Sequence, residues 1–202
     1  MTIKEIPAFF PADFFEVKLS AFKGKNLELP DFSAYLGEES FAKCLFTYTL
    51  EGLELSFDIR SPFVDCFYPA FTKGDCVEVM IDTRAIKTGS VMHKYGHHFV
   101  VLPKEVDGIR ALELTKFHGE DKHPLADAAS IQVQANFSSR GYKLSLFFGE
   151  GSLFGFSPDE CPKIGFAYRI HRTAGEPMHF TVSSKYFKIE RAPALWATIE
   201  LT

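Results

Sequence analysis

The clearest pattern along the chain is alternation of apolar and polar residues with a period of two. In LELSFDIR, residues 53–60, Leu53, Leu55, Phe57 and Ile59 share one face, while Glu54, Ser56, Asp58 and Arg60 share the other. That is the pattern of a half-buried strand. The run before it, FAKCLFTYTL at 41–50, is also rich in β-forming residues, and the Glu51-Gly52 between the two predicts a hairpin turn. Val77, Val79 and Ile81 alternate with Glu78, Met80 and Asp82, and Phe99 and Val101 continue a further strand. Ile131, Val133, Ala135 and Phe137 alternate with Gln132, Gln134 and Asn136, and Ser139-Arg140-Gly141 turns the chain into Tyr142 to Phe148. Ile164, Phe166, Tyr168 and Ile170 alternate with Gly165, Ala167, Arg169 and His171, and runs at 179–183 and 196–201 close the series.

Long amphipathic helix patterns are absent; Leu125 to Ala129 and Glu150 to Phe154 read as single helical turns. Many short strands with turn signals between them predict an all-β fold, an antiparallel β-sandwich with a jelly-roll-like arrangement. The 22 phenylalanines suit the space between two sheets stacked about 10 Å apart. No repeat, low-complexity tract or Pro/Gly/Ser-rich linker divides the 202 residues, so one domain is expected. Residues 1–38, with Pro7, Pro11 and Pro30, read as an irregular arm, and residues 39–202 as the sandwich core.

Charge narrows the partners. Lys and Arg total 22 against 26 acids, for a formal charge of −4, which gives no basic field to hold nucleic acid. Glu5, Asp13 and two prolines interrupt the N-terminus where a signal peptide needs an apolar run, and no segment reaches the roughly 20 apolar residues that span a bilayer. No membrane association and a cytoplasmic location are therefore expected. Cys44, Cys66, Cys76 and Cys161 form no CxxC pair and read as free, mostly buried thiols.

Period two puts Glu78, Met80 and Asp82 on one face, with Arg84 in phase beyond them. At roughly 3.3 Å per residue the two carboxylates stand about 13 Å apart, too far to act alone as an acid/base pair. Gln132, Gln134, Asn136, Arg169 and His171 lie on similarly polar faces. If those strands are neighbours, one sheet face carries acids, amides, an arginine and an imidazole, a surface suited to a polyhydroxylated ligand; otherwise it is the solvated side of a sheet. His93, His97 and His98 invite a zinc reading, but the HExxH glutamate is missing, Gly96 interrupts the segment, and adjacent strand residues face opposite ways. Exposed or core-satisfied histidines are the expectation there, as for His118 and His123 in a polar loop. Neither a GxSxG elbow nor a P-loop is present, and GEGSLFG at 149–155 has the wrong spacing for a dinucleotide turn, although a triad can be assembled from distant residues.

Three segments in order, GDCVEVMIDTR at 74–84, PKIGFAYRIHR at 162–172 and LWATIEL at 195–201, resemble the carbohydrate-binding module family 9-like group within the DOMON-like sandwich superfamily. SSRGY at 138–142 and HHFVVLP at 97–103 resemble bacterial members of that group. The resemblance implies a ligand-binding β-sandwich, most often for sugars and in another branch for haem, and structural calcium. It also implies a sugar ring clamped between two tryptophans. This sequence departs from that pattern, since Trp196 is its single tryptophan and sits in the closing strand, where core packing is expected. Tyr68, Phe71, Tyr95 or Phe117 are alternative stacking surfaces, and neither Met80 nor any histidine stands in a context that identifies a haem ligand.

The leading expectation is a non-catalytic binding domain for a carbohydrate or similar polar small ligand, held by Glu78, Asp82, Arg84, Arg169, His171 and Arg172 with loop aromatics. A second is a protein-interaction sandwich that has lost the sugar site. A third is an enzyme using Glu78 or Asp82 as acid/base with His98 or His171 assisting, which requires a closed pocket that brings at least two of these groups within hydrogen-bond reach.

Overall fold

The computed structural model describes residues 18–87 and 91–202. The strands in chain order are β1 (Lys18–Ala21), β2 (Leu27–Glu28), β3 (Ala42–Tyr48), β4 (Leu53–Ile59), β5 (Cys76–Asp82) and β6 (Gly96–Val106). They continue with β7 (Ile109–Glu113), β8 (Ile131–Ser138), β9 (Gly141–Phe148), β10 (Lys163–His171), β11 (Met178–Phe180) and β12 (Ala197–Leu201). Two sheets result. One runs β1-β12-β10-β5-β6-β7, with β11 also paired to β10; the other runs β2-β3-β4-β9-β8. All pairings are antiparallel except β1 with β12. The fold is an all-β sandwich, and no helix among the described residues is long and apolar enough to cross a membrane.

The predicted hairpin is β3-β4, with Tyr48 opposite Leu53. Gly52 is required there: its φ is +157°, and a Cβ would stand 2.0 Å from the Phe148 carbonyl oxygen of β9. Leu53, Leu55, Phe57 and Ile59 point into the sandwich and are fully buried. From the facing sheet Val77, Val79, Ile81, Phe99, Phe166 and Tyr168 meet them. Edge-to-face pairs span the gap, Phe57 on Tyr168 at 5.3 Å between centroids and Phe46 on Phe166 at 5.5 Å.

The arm differs from its expectation. Residues 1–17 lie outside the described residues, but β1 and β2 add edge strands, one to each sheet, and Ser33–Leu36 forms a single helical turn, α1. Residues 150–154 are a non-helical turn, while Ala128–Ser130 is one turn of 3-10 helix. The cysteines are free, Cys44, Cys66 and Cys76 buried and Cys161 partly exposed.

The larger departure concerns the outward face of the seven-stranded sheet. All seven residues of β5 are buried, so neither of its faces is solvated. Loops and segments just outside the strands cover that face in two places; Val182 and Trp196, read from the sequence as strand residues, lie beyond the end of β11 and before the start of β12. Trp196, Met92, Val182 and Ile189 pack onto Met80 and Ala167, and Cys66 packs onto Cys76, Val100 and Leu102. Trp196 is wholly buried and donates its indole N–H to the Ile189 carbonyl at 2.7 Å, the core role expected of it. By contrast Gln132, Gln134 and Asn136 stand exposed on the outer face of the other sheet, so they do not share a surface with Glu78.

Truncating the ring that locks the two sheets together, Phe57→Ala, should lower unfolding free energy by about 3–5 kcal/mol. Urea denaturation followed by the fluorescence of Trp196 measures it, with the slope m unchanged if only packing is lost.

Candidate functional site

Strand pairing sets the site. In the β5-β10 register Glu78 stands opposite Arg169 and Asp82 opposite Gly165. In β5-β6, His98 stands opposite Met80, one step diagonal to Glu78. Glu78, Asp82, His98, Arg169 and His171 therefore project from three adjacent strands onto the covered face. The Glu78 carboxylate, 1% exposed, takes a forked pair of hydrogen bonds from Arg169, Nε at 2.7 Å to Oε1 and Nη2 at 2.9 Å to Oε2. His171 Nε2 lies 2.6 Å from Oε1, and His98 Nε2 lies 2.7 Å from Oε2. Each oxygen thus has two partners, and the acceptor capacity of the group is filled. Burial opposes its ionisation, but the hydrogen bonds from His171 and His98 and the charge of Arg169 more than offset burial, and the carboxyl is held well below the usual glutamate range. Such a group orients its neighbours; it does not exchange protons near neutral pH.

Beside this cluster opens a cleft of about 420 Å³. Glu78, His98 and Arg169 form its floor, Phe71 and Thr72 one wall, Leu114 and Lys116 a second, and Glu190 and Arg191 a third. The third wall is fixed from below, since the turn Ile189–Arg191 is pinned by the indole of Trp196. Arg169 also lies 3.9 Å from Glu190. The volume falls in the range of small-ligand sites, about 300–1,000 Å³.

Of the six residues proposed from the sequence, Glu78, Arg169 and His171 come together, and the other three do not join them. Asp82 is fully buried farther along β5. It accepts the backbone N–H of Arg84 at 3.0 Å and of Ile86 at 2.6 Å, which holds the turn after the strand, and His93 Nε2 lies 3.4 Å away. Arg84 lies over the Tyr95 ring at 5.4 Å and 3.8 Å from Glu160. Arg172 pairs with Glu39 and lies over Phe41 at 4.4 Å. Of the candidate stacking rings, Phe71 lines the cleft; Tyr95 stacks on Phe154, Phe117 packs on His123, and Tyr68 packs beside Cys66 and Cys76. Lys116, Glu190 and Arg191 were missed as cleft residues, and His98 was named only as an assisting group in the enzyme reading. Only His98 carried a signal, its outward phase on β6; the rest come from loops without periodicity.

A second buried cluster lies at the other side of β6. His97, Glu113 and His123 place a ring nitrogen or carboxylate oxygen each within 4.8 Å of one another. His97 Nδ1 and His123 Nε2 are both 3.0 Å from Glu113 Oε1, and Glu113 Oε2 accepts the Ala126 N–H at 2.7 Å. Burial raises the proton affinity of Glu113, but the hydrogen bonds from His123 and His97 bring its pKa down to about 2. His123, expected in a polar loop, is therefore a core residue. Two imidazoles and a carboxylate do not form the all-oxygen shell that calcium takes, so the structural calcium implied by the resemblance does not fit here.

No family model matches the chain, and no curated protein matches it. Solved structures do. A carbohydrate-binding module family 9 from Caldicellulosiruptor kristjanssonii in complex with cellotriose superposes with a TM-score of 0.64 at 11% identity, covering 92% of this chain and 93% of that one. A family 9 structure from the same organism, in complex with glucose, gives 0.63 at 11%, covering 92% and 95%. A protein of Bacteroides uniformis gives 0.56 at 9%, covering 92% and 99%. At these identities the likeness is one of architecture: this chain has the β-sandwich fold of carbohydrate-binding module family 9.

Proposed function

We propose that the protein is a non-catalytic binding domain for a carbohydrate, taken up in the cleft over Glu78. The observation that carries this reading is a concave polar cleft built over a buried carboxylate that fixes its donors in place. Arg169 has five N–H groups and spends two on Glu78, so its plane is set before a ligand arrives. Lys116 and Arg191 offer donors and Glu190 an acceptor from the walls, and the Phe71 ring offers an apolar surface to the C–H face of a sugar. Donors and acceptors of both kinds around one ring suit a polyol. The fold agrees with this reading, since the two Caldicellulosiruptor structures hold cellotriose and glucose. Here no tryptophan pair flanks the cleft; one phenylalanine and a guanidinium plane supply the contact area.

Thermal unfolding across a panel of neutral and acidic mono- and oligosaccharides tests it. A ligand at about one hundred times its dissociation constant stabilises the fold by about 2.7 kcal/mol, a readable rise in Tm. Phe71→Ala and Arg191→Ala should each weaken the response about tenfold in apparent Kd or more; Arg191→Ala, on an exposed wall, should leave the ligand-free Tm nearly unchanged, whereas Phe71→Ala also loses packing on the Cys66 group and should lower it. A flat response to every sugar would move the assignment to a protein-interaction domain.

A further prediction concerns the floor. Glu78→Gln leaves Arg169 with only the more distant Glu190 carboxylate, 3.9 Å away, as counter-charge and should cost about 3–5 kcal/mol at pH 7. Because the folded-state carboxyl is held below its ordinary value of 4.5, its stabilisation is complete above that value and is lost as pH falls toward the depressed one. The stability gap between wild type and variant should therefore shrink steadily below about pH 4.5, as urea unfolding at a series of pH values would show.

A further inference from the structure

The His97, Glu113 and His123 cluster is not part of the cleft, and its hydrogen-bond inventory does not balance as a set of neutral rings. A neutral imidazole has one N–H and one lone pair. His123 Nδ1 faces the Lys94 carbonyl at 2.6 Å and its Nε2 faces Glu113 Oε1 at 3.0 Å, so both nitrogens meet acceptors. His97 is placed alike, with Nδ1 at 3.0 Å from Glu113 Oε1 and Nε2 at 3.4 Å from the Phe154 carbonyl. Protonating His123 alone would give both of its nitrogens an N–H, but His97 would still turn one nitrogen to Glu113 and the other toward the Phe154 carbonyl at 3.4 Å with a single N–H between them. A divalent cation removes the conflict. Each ring then donates its outer N–H to a backbone carbonyl and turns the other nitrogen's lone pair inward, the usual outer-sphere arrangement of metal-bound histidine.

We propose that His97, Glu113 and His123 bind a divalent first-row transition ion, zinc by donor type, as a structural clip. Two imidazoles and one carboxylate suit zinc, and bonds of about 2.0–2.2 Å need only small movements of atoms already 3.0 Å apart. The rings are preorganised: His97 stacks on Phe99 at 6° between planes, His123 stacks on Phe154 at 10°, and Phe117 meets His123 edge-on. Thr115 Oγ1 donates to Glu113 Oε1 and accepts the His98 N–H at 2.8 Å, so it braces the carboxylate from outside. The ion ties β6 and β7 to residue 123 of the loop that precedes β8. That is the loop whose first residues, Leu114 and Lys116, wall the cleft.

The full chain, stripped with a chelator and dialysed, is titrated with zinc alone and, in a second sample, with cobalt(II) to read the ligand field. No sugar is present, so the result is independent of the carbohydrate reading. One equivalent should bind per chain and raise Tm, and cobalt should show the intense visible absorption of a low-coordinate site with nitrogen ligands. His123→Gln and Glu113→Gln should weaken zinc at least about 100-fold, while His118→Gln, an exposed neighbour on the same loop, should change nothing. If the cluster variants fail to fold, the wild-type stoichiometry and cobalt spectrum decide. Wild-type protein with no Tm response and no cobalt band, or binding that His118→Gln abolishes, overturns the proposal and leaves a charge-paired hydrogen-bond cluster.

Discussion

A carboxylate withdrawn from water must have its charge and both oxygens answered, and at Glu78 that requirement fixes three strands relative to one another. Arg169 on β10 and His98 on β6 approach from opposite sides of β5, and His171 closes the remaining position. A register slip of one residue would turn Glu78 into the hydrophobic interior and leave Arg169 without it. The cost of burying the ions is offset by completeness: a forked guanidinium and two imidazoles fill every acceptor site, where a half-filled set would be worse than an apolar one. The floor of the cleft and the alignment of the central strands are therefore the same interaction.

That interaction survives only because the face around it is closed. A sandwich normally leaves its outer sheet faces to solvent, but here Trp196 and its neighbours cover one end of β5 and the Cys66 group covers the other. The cleft is the gap between these two covers. Its lining is thus decided by loop lengths and anchors, such as the Trp196 hydrogen bond to Ile189, more than by the strands that make its floor.

This division explains what was legible in the sequence. Strands β4, β5, β8, β9 and β10 announce themselves because one face must be apolar, and the acids of β5 and the bases of β10 could be placed in phase. The adjacency of those two strands was not written locally; it follows from chain topology, and the same reasoning left open whether Gln132 and Gln134 shared their surface, when in fact they belong to the other sheet. The segments IDTR and Gly-Phe of the family resemblance do meet: Gly165 lies opposite Asp82, and a Cβ there would stand 3.1 Å from Asp82 Cβ. Lys116, His123, Glu190 and Arg191 come from aperiodic chain, where position depends on what the loop packs against.

The paired histidines of β6 show how one strand can serve two buried polar sites. Adjacent residues face opposite ways, so His97 turns inward to Glu113 and stacks on Phe99, while His98 turns outward to Glu78. The backbone between them is held by the same Thr115 that braces Glu113, since its hydroxyl accepts the His98 N–H and donates to the carboxylate. A displacement of Glu113 would reach His98 through one hydroxyl, and Lys116 through one further residue of chain. Thr115 thus joins the two sites by direct hydrogen bonds, one to the Glu113 carboxylate and one from the backbone of His98.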